Sequence, residues 1–193
     1  WYFIYNKQDS KNPKYATRIE YIFDLMTNKP DDEDDKYTFY KFYEDFETSK
    51  NKKKYKIPDT DSIWLNVKKY FLTFEEWFKD RELYHLIGFL ISINYKLQDI
   101  LEPKKNNAKI RIISKTDFKA FLKDEIKRQV NFDISKLNYG DGRIKTVLLL
   151  FNVQTILSNE KSNMLFPFNI YKNEDWDIEH VRSQTDQNIT GRF

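Results

Sequence analysis

Residues 80–101, DRELYHLIGFLISINYKLQDIL, form the most apolar stretch of the sequence and restrict the folds open to the chain. A bilayer crossing needs about 20 consecutive apolar residues, whereas this stretch is flanked by charged side chains. Its apolar residues recur at the three- and four-residue spacing of one helix face, at Leu83, Leu86, Ile87, Leu90, Ile91, Tyr95 and Leu97. We therefore predict a central, buried helix and no membrane partner.

The composition favours helices over turn-rich β-structure. Glycine and proline number only 4 and 5 in 193 residues, while 16 Phe, 13 Tyr and 4 Trp can supply a large core. The net charge is only +3, which does not by itself indicate nucleic acid. The absence of cysteine excludes disulfides and thiolate metal sites and fits a cytoplasmic protein.

Helical spacing recurs along most of the chain, so we predict a mainly α, bundle-like body of six or seven helices. The aromatic residues of YTFYKFYEDFE, residues 37–47, are interpreted as core. Thr73 and Glu76 form a capping-box pattern, which predicts a bend or a new short helix. Residues 143–157, RIKTVLLLFNVQTIL, predict a strongly apolar, buried helix.

The pattern changes after residue 163. Phe166, Phe168 and Ile170 alternate with other residues, a polar turn KNED follows, and Trp176 and Ile178 alternate again. Alternation on both sides of a polar turn is typical of a hairpin. We therefore predict a helical domain over residues 1–163, and a short C-terminal β-hairpin that opens a second domain over residues 164–193.

Three features allow both a structural and a functional interpretation. His85 has no carboxylate or histidine at i+4, so a hydrogen-bonded packing residue is favoured over a metal ligand. The acidic run Asp31–Asp35 lacks EF-hand spacing and is interpreted as a solvated loop. Lysines at 50 and 52–54, and those of the helix predicted after Ser114, could contact phosphate. Solvated surfaces are the favoured alternative for both sets.

The pair Glu179–His180 is the strongest candidate for chemistry. A neutral imidazole, with an ordinary pKa of about 6.5, can take a proton from water near neutral pH. A carboxylate can hold Mg²⁺ against a phosphate oxygen, and Arg182 adds a donor suited to phosphate. Neighbours on a strand point to opposite faces, so both groups can serve one site only where the strand bends or ends. An ordinary surface pair is the alternative.

The string WDIEHVRSQT, residues 176–185, resembles the entry motif of the HNH (ββα-metal) nuclease domain of the GmrSD-type family. That family consists of modification-dependent (type IV) restriction endonucleases, which act against phage and other foreign DNA. The segments WYFIYN, YATRIEYIFDL, FYKFYEDF and VLLLFNVQTIL are similar to its helical middle region. The resemblance extends over nearly the whole chain.

This resemblance implies that His180 is the general base and that Glu179 is a ligand of Mg²⁺ or a similar divalent ion. It implies DNA as partner, with this chain coupling an N-terminal ParB-like, nucleotide-using sensor to a C-terminal nuclease. The remaining asparagine and histidine of the family's site would follow Phe193, so we expect the 193-residue chain alone not to cleave DNA. A non-enzymatic helical adaptor for protein–protein interaction is the alternative function.

Overall fold

The structure, a computed structural model, describes residues 1–5, 17–30, 32–34, 36–51, 60–105, 108–109, 114–174 and 176–178. These ranges are mainly α-helical, which confirms the predicted fold class. They contain α1 (Arg18–Thr27), α2 (Lys36–Asn51), α3 (Thr60–Lys79), α4 (Arg81–Ser92), α5 (Leu97–Leu101), α6 (Lys115–Gln129), α7 (Arg143–Ser158) and α8 (Phe168–Asn173). They also contain 3₁₀ turns at Tyr2–Ile4 and Ile134–Lys136, and an antiparallel pair of β1 (Lys104–Lys105) and β2 (Ala108–Lys109).

Helix α4 forms the centre of the core, as the spacing of its apolar residues predicts. Every residue from Leu83 to Ile91 is buried. Helices α3, α6, α7 and α8 and the Tyr2–Ile4 turn all contact α4. A helix that is apolar on all sides is stable only when other elements cover it, because each side would otherwise expose apolar surface to water. The surrounding helices are therefore arranged around α4.

The junction between α3 and α4 consists of one residue, Asp80. Its carboxylate accepts hydrogen bonds from the backbone amides of Glu82 and Leu83, both at 3.0 Å, and so caps α4. A carboxylate at this position satisfies amides that have no partner within the helix. At the other end, Asn94 has a φ of 65°, a left-handed conformation that directs the chain away from α4 toward α5.

The predicted bend at Thr73 is wrong, because α3 continues without a break to Lys79. The capping-box pattern of Thr73 and Glu76 falls inside a helix whose buried face continues on both sides, through Val67, Phe74 and Trp77. Burial of that continuous apolar face overrides the local capping signal.

The aromatic stripe of α2 is largely exposed, contrary to the prediction that it belongs to the core. Phe39, Tyr40 and Tyr43 are 68%, 61% and 57% exposed, whereas Phe42 packs edge-on against Phe23 of α1. Among the described residues, helix α2 packs chiefly against α1, and a helix that is covered mainly by one neighbour buries only a narrow side. Helix α7 is likewise less buried than the sequence predicts. Of its 16 residues, Leu149 and Val153 are buried.

The first arm of the predicted hairpin is helix α8 instead. Phe166 and Phe168 are both buried, whereas Ile170 is 41% exposed. The three side chains therefore do not share one buried face of a strand, because the chain enters α8 at Phe168. The rings of Phe166 and Phe168 pack together with a centroid distance of 4.8 Å. Residues 164–173 thus pack on the helical body. The predicted second domain, residues 164–193, lies mostly outside the described ranges and stays a prediction.

Gly88 permits the contact between α4 and α8. A Cβ atom at this position would overlap the ring of Phe168, with its Cζ atom at 2.7 Å. Real Cβ atoms keep larger distances, so either the ring or the helix would have to move. The glycine is required here for the close approach of an aromatic ring.

We expect Gly88→Ala to lower the free energy of unfolding by about 1–3 kcal/mol, because the added methyl group overpacks the core against Phe168. Urea denaturation measures the change. Gly142→Ala is the matched control: Gly142 has helical φ and ψ of −57° and −23°, and nothing lies within 4 Å of its added Cβ. The control should be neutral or stabilise by up to about 1 kcal/mol. Equal effects of the two substitutions on the free energy of unfolding would contradict the requirement for glycine at position 88.

Candidate functional site

The predicted catalytic residues lie just beyond the described part of the chain. The structure describes residues 176–178, and Glu179, His180 and Arg182 all follow. Residues 159–174 and 176–178 lead to this pair, and several side chains fix this segment to the helical body.

Two side chains of α4 hold the backbone of Phe166 from both sides. The Tyr84 hydroxyl donates to the Phe166 carbonyl at 2.8 Å, and the Phe166 amide donates to Nε2 of His85 at 3.0 Å. All of these groups are buried, where an unpaired polar atom costs about 1–3 kcal/mol. Burial also raises the pKa of Tyr84 to about 12, so its hydroxyl keeps the proton that it donates.

His85 is a packing residue in the described structure, as predicted. It is fully buried, and its Nδ1 lies 2.6 Å from the carbonyl oxygen of Arg81. Because Nε2 accepts from the Phe166 amide, Nδ1 must carry the proton and donate to that carbonyl. Both ring nitrogens are thus used while the imidazole is neutral. Burial lowers the pKa of His85, an effect that the hydrogen bond to Arg81 partly opposes.

Arg81 connects the same helix to the end of α7. Its guanidinium donates to the carbonyl oxygens of Ile156 and, at 3.1 Å, of Asn159. The last carbonyls of a helix have no partner within it, and a cation at this end also interacts favourably with the helix dipole. Arg81 therefore binds the end of α7, whereas Tyr84 and His85 both bind Phe166 in the chain between α7 and α8.

Lys172 fixes α8 to the start of the chain. Its ammonium donates to the carbonyl oxygens of Phe3 and Tyr5, at 3.0 and 2.6 Å, and lies 5.9 Å from the ring centre of Phe168. Burial lowers the pKa of Lys172 to about 7.

After α8, the ring of Trp176 packs against Tyr171 and Phe166, with centroids 5.4 and 6.1 Å apart. The segment is thus fixed to within three residues of Glu179.

The lysines of α6 are engaged in ion pairs rather than available as a basic surface. Lys115 pairs with Glu76 at 3.2 Å and with Asp80 at 2.9 Å. Lys119 bridges Asp80 and Glu82 at 3.0 and 2.8 Å, and Lys123 pairs with Glu82 at 2.7 Å. Partial burial disfavours the charged form of Asp80, but hydrogen bonds from Lys115, the Leu83 amide and Lys119 lower its pKa to about 2.

The remaining sequence candidates show ordinary structural roles or fall outside the described ranges. Asp34 accepts from the amide of Lys36 at 2.8 Å. The lysines at 52–54 lie outside the described residues. Among the described residues, no cluster of three His, Cys, Asp or Glu side chains could hold a metal ion.

Sequence reasoning did not single out Tyr84, Arg81 or Lys172. Their positions on apolar or mixed helices carry no motif, and only the fold brings them to the backbone of a distant segment. It also missed a cleft of about 630 Å³ between α3, α5 and α6, with Trp77, Leu83 and Phe118 among its lining residues. Glu76 and Lys115, which also line the cleft, form the ion pair described above.

Comparison with known proteins gives no relative. No family model matches the chain, and neither a curated protein nor a solved structure matches it. Within the described ranges, the helices are too short or too polar to span a membrane.

We expect the stabilising contribution of His85 to fall as the pH drops below about 6.5, the ordinary pKa of histidine. Because burial lowers the pKa in the folded state, the unfolded chain takes up a proton first, and stability decreases by at most about 1.4 kcal/mol per pH unit. Urea denaturation between pH 7.5 and 5.5 measures this slope. The difference between wild type and His85→Gln isolates it from other groups; a difference independent of pH would contradict a neutral, buried His85.

Asp80 should contribute both as a helix cap and as an ion-pair partner. We expect Asp80→Ala to lower the free energy of unfolding by about 1–2 kcal/mol, because the amides of Glu82 and Leu83 lose their acceptor. Asp80→Asn retains an acceptor and removes the charge, so its effect should be smaller. Thermal and urea denaturation at neutral pH compare the two. If both substitutions lower the free energy of unfolding equally, the loss comes from the ion pairs with Lys115 and Lys119 and not from the helix cap.

Proposed function

We propose that this chain belongs to a DNA endonuclease of modification-dependent restriction, in which its helical body couples an N-terminal sensor to a C-terminal HNH nuclease. The observation that carries the proposal is the string WDIEHVRSQT at residues 176–185. Its Glu-His pair contains the two groups that phosphodiester hydrolysis needs, a base for water and a ligand for a divalent ion.

Each residue of the motif has a specific role in this proposal. His180 takes the proton from the attacking water, since an imidazole is largely neutral near pH 7. Glu179 would hold Mg²⁺, a hard cation that prefers carboxylate oxygens and that supplies charge stabilisation at the phosphate. Arg182 binds a phosphate oxygen through its guanidinium. DNA is the partner, and we place the protein in the cytoplasm.

The attachment of residues 159–174 and 176–178 to the core supports this function. Catalytic groups work only when rigid elements hold them in position. Tyr84 and His85 fix Phe166, Lys172 fixes α8, and Trp176 packs three residues before Glu179. The ion pairs of α6 favour a DNA contact through the C-terminal region rather than through that helix.

The test is DNA cleavage by the intact protein that contains this chain. We expect Mg²⁺-dependent cleavage of modified phage DNA, and a loss of about 100-fold or more in His180→Ala, because general-base catalysis contributes that much. DNA binding should be retained, which separates loss of chemistry from loss of folding. Glu174→Gln, an exposed change shortly before the motif, is the control and should cleave normally. Undiminished cleavage by His180→Ala would refute the role of His180.

A helical adaptor for protein–protein interaction is the second candidate, favoured by exposed apolar residues such as Trp64 and Phe151, which are 55% and 68% exposed. Titration against duplex DNA at low and high salt discriminates the two functions. Binding that weakens steeply with salt indicates phosphate contacts and favours the nuclease. No binding at either salt concentration favours the adaptor.

A further inference from the structure

The contact between α4 and residues 164–174 depends on the protonation state of one side chain, His85. Its Nε2 atom accepts a hydrogen bond from the Phe166 amide at 3.0 Å, while Nδ1 lies 2.6 Å from the carbonyl oxygen of Arg81. A neutral imidazole has one donor and one acceptor, whereas a protonated imidazole has two donors. In the charged form, the Nε2 proton and the Phe166 amide would therefore face each other as two buried donors without an acceptor.

The neighbouring cations oppose a protonated ring. Burial lowers the pKa of His85, and the charge of Arg81 lowers it further, against the hydrogen bond to the Arg81 carbonyl. Helix α8 brings a second cation, because the Lys172 ammonium lies 5.9 Å from the ring centre of Phe168. The centre of that ring is in turn 6.3 Å from the centre of the imidazole. A positive charge on His85 would thus lie close to others of the same sign.

Carboxylates could favour a charged imidazole, but those on the elements packed around α4 have partners of their own. None lies in α7, in α8 or in the Tyr2–Ile4 turn. The surroundings of His85 therefore favour its neutral form. At the end of α3, at the start of α4 and along α6, the acidic side chains and their partners are Glu75 with Lys79, Glu76 with Lys115, Asp80 with Lys119, Glu82 with Lys123, Asp117 with Ser114, Asp124 with Lys127 and Glu125 with Arg128.

The segment that His85 holds can open without the rest of the fold. Helix α8 has six residues, and its N-cap, Pro167, makes no side-chain hydrogen bond. The helix packs mainly against α4 and the Tyr2–Ile4 turn, whereas α4 is also covered by α3, α6 and α7. Short elements with few neighbours open at a lower free energy than the core does.

We propose that His85 is an acid-sensitive latch whose protonation releases residues 164–174 from α4 while α3, α4 and α6 stay folded. The proton comes from water when the segment opens transiently, because the imidazole then becomes accessible and has its ordinary pKa of about 6.5. The charged ring cannot accept from the Phe166 amide, so the segment closes favourably only after the proton has left. Below this pH the open state therefore gains population. This inference does not depend on the proposed nuclease function.

Amide hydrogen exchange of the purified chain, followed by NMR at pH 7.5 and 5.0 and corrected for the intrinsic exchange rates, tests the latch. The amides to follow are those of Phe166 and Tyr171, which donate to His85 and to the Pro167 carbonyl. We expect their opening constants to be about 5- to 30-fold larger at pH 5.0, given a pKa of about 6.5 in the open state and a lower one in the closed state. The amides in the middle of α4 should stay better protected than these two at both pH values, since the segment opens alone. Equal protection of α4 and the segment, or opening constants independent of pH, would overturn the proposal.

Two variants separate protonation from the loss of a hydrogen bond. His85→Gln has a side-chain oxygen that can accept from the Phe166 amide and does not titrate, so exchange of the segment should no longer depend on pH. Tyr84→Phe is the matched control, because it removes the hydrogen bond to the Phe166 carbonyl and a hydroxyl whose pKa of about 12 lies far above this range. It should raise the opening constants at both pH values by the same factor. A pH dependence that persists in His85→Gln would assign the titration to another group and refute the latch.

The ring nitrogens of His85 give a readout that needs no change in the core. The chain has two histidines, and His180→Gln serves only to assign their NMR signals. At pH 7.5 the His85 ring should be neutral, with its proton on Nδ1, as the two hydrogen bonds require. A charged ring at this pH, or a proton on Nε2, would contradict the proposed mechanism.

Discussion

The hydrogen bonds between His85, Tyr84 and the backbone of Phe166 are the interaction on which the rest of the structure depends. They allow α4 to be buried on all sides although it carries polar groups, because each group has a partner in the chain between α7 and α8. The same bonds fix that chain in place, so that Phe168 can reach Gly88. Burial of the central helix is thus coupled to attachment of the C-terminal segment, since an unpaired imidazole or hydroxyl in this core would cost about 1–3 kcal/mol.

Much of the fold follows from the spacing of apolar residues, and the exceptions have physical causes. The periodicity of residues 80–101 predicts the central helix, and the structural role of His85 follows from its place in that apolar stretch. The spacing of apolar residues gives the wrong prediction where tertiary contacts determine the secondary structure or the burial of a segment. Nothing local to Phe166–Ile170 indicates that Gly88, some 80 residues away, leaves room for an aromatic ring, so the alternation alone predicts a strand. Likewise, α2 and α7 are apolar enough for a core, but the number of neighbours that cover a helix is not a local property.

The candidate site contains residues that a sequence motif predicts and residues that only the fold identifies. Glu179, His180 and Arg182 are predicted from a motif and its resemblance to a nuclease family, because hydrolytic chemistry restricts the residue types that can perform it, and their roles stay predictions. The side chains that support the preceding segment, Tyr84 and Lys172 among them, have no such restriction. Any residue with a donor of the right reach could satisfy a backbone carbonyl, and only the fold selects these two. A motif in the sequence can therefore suggest candidates for chemistry, whereas the side chains that fix the preceding segment carry no motif and are identified only from the fold.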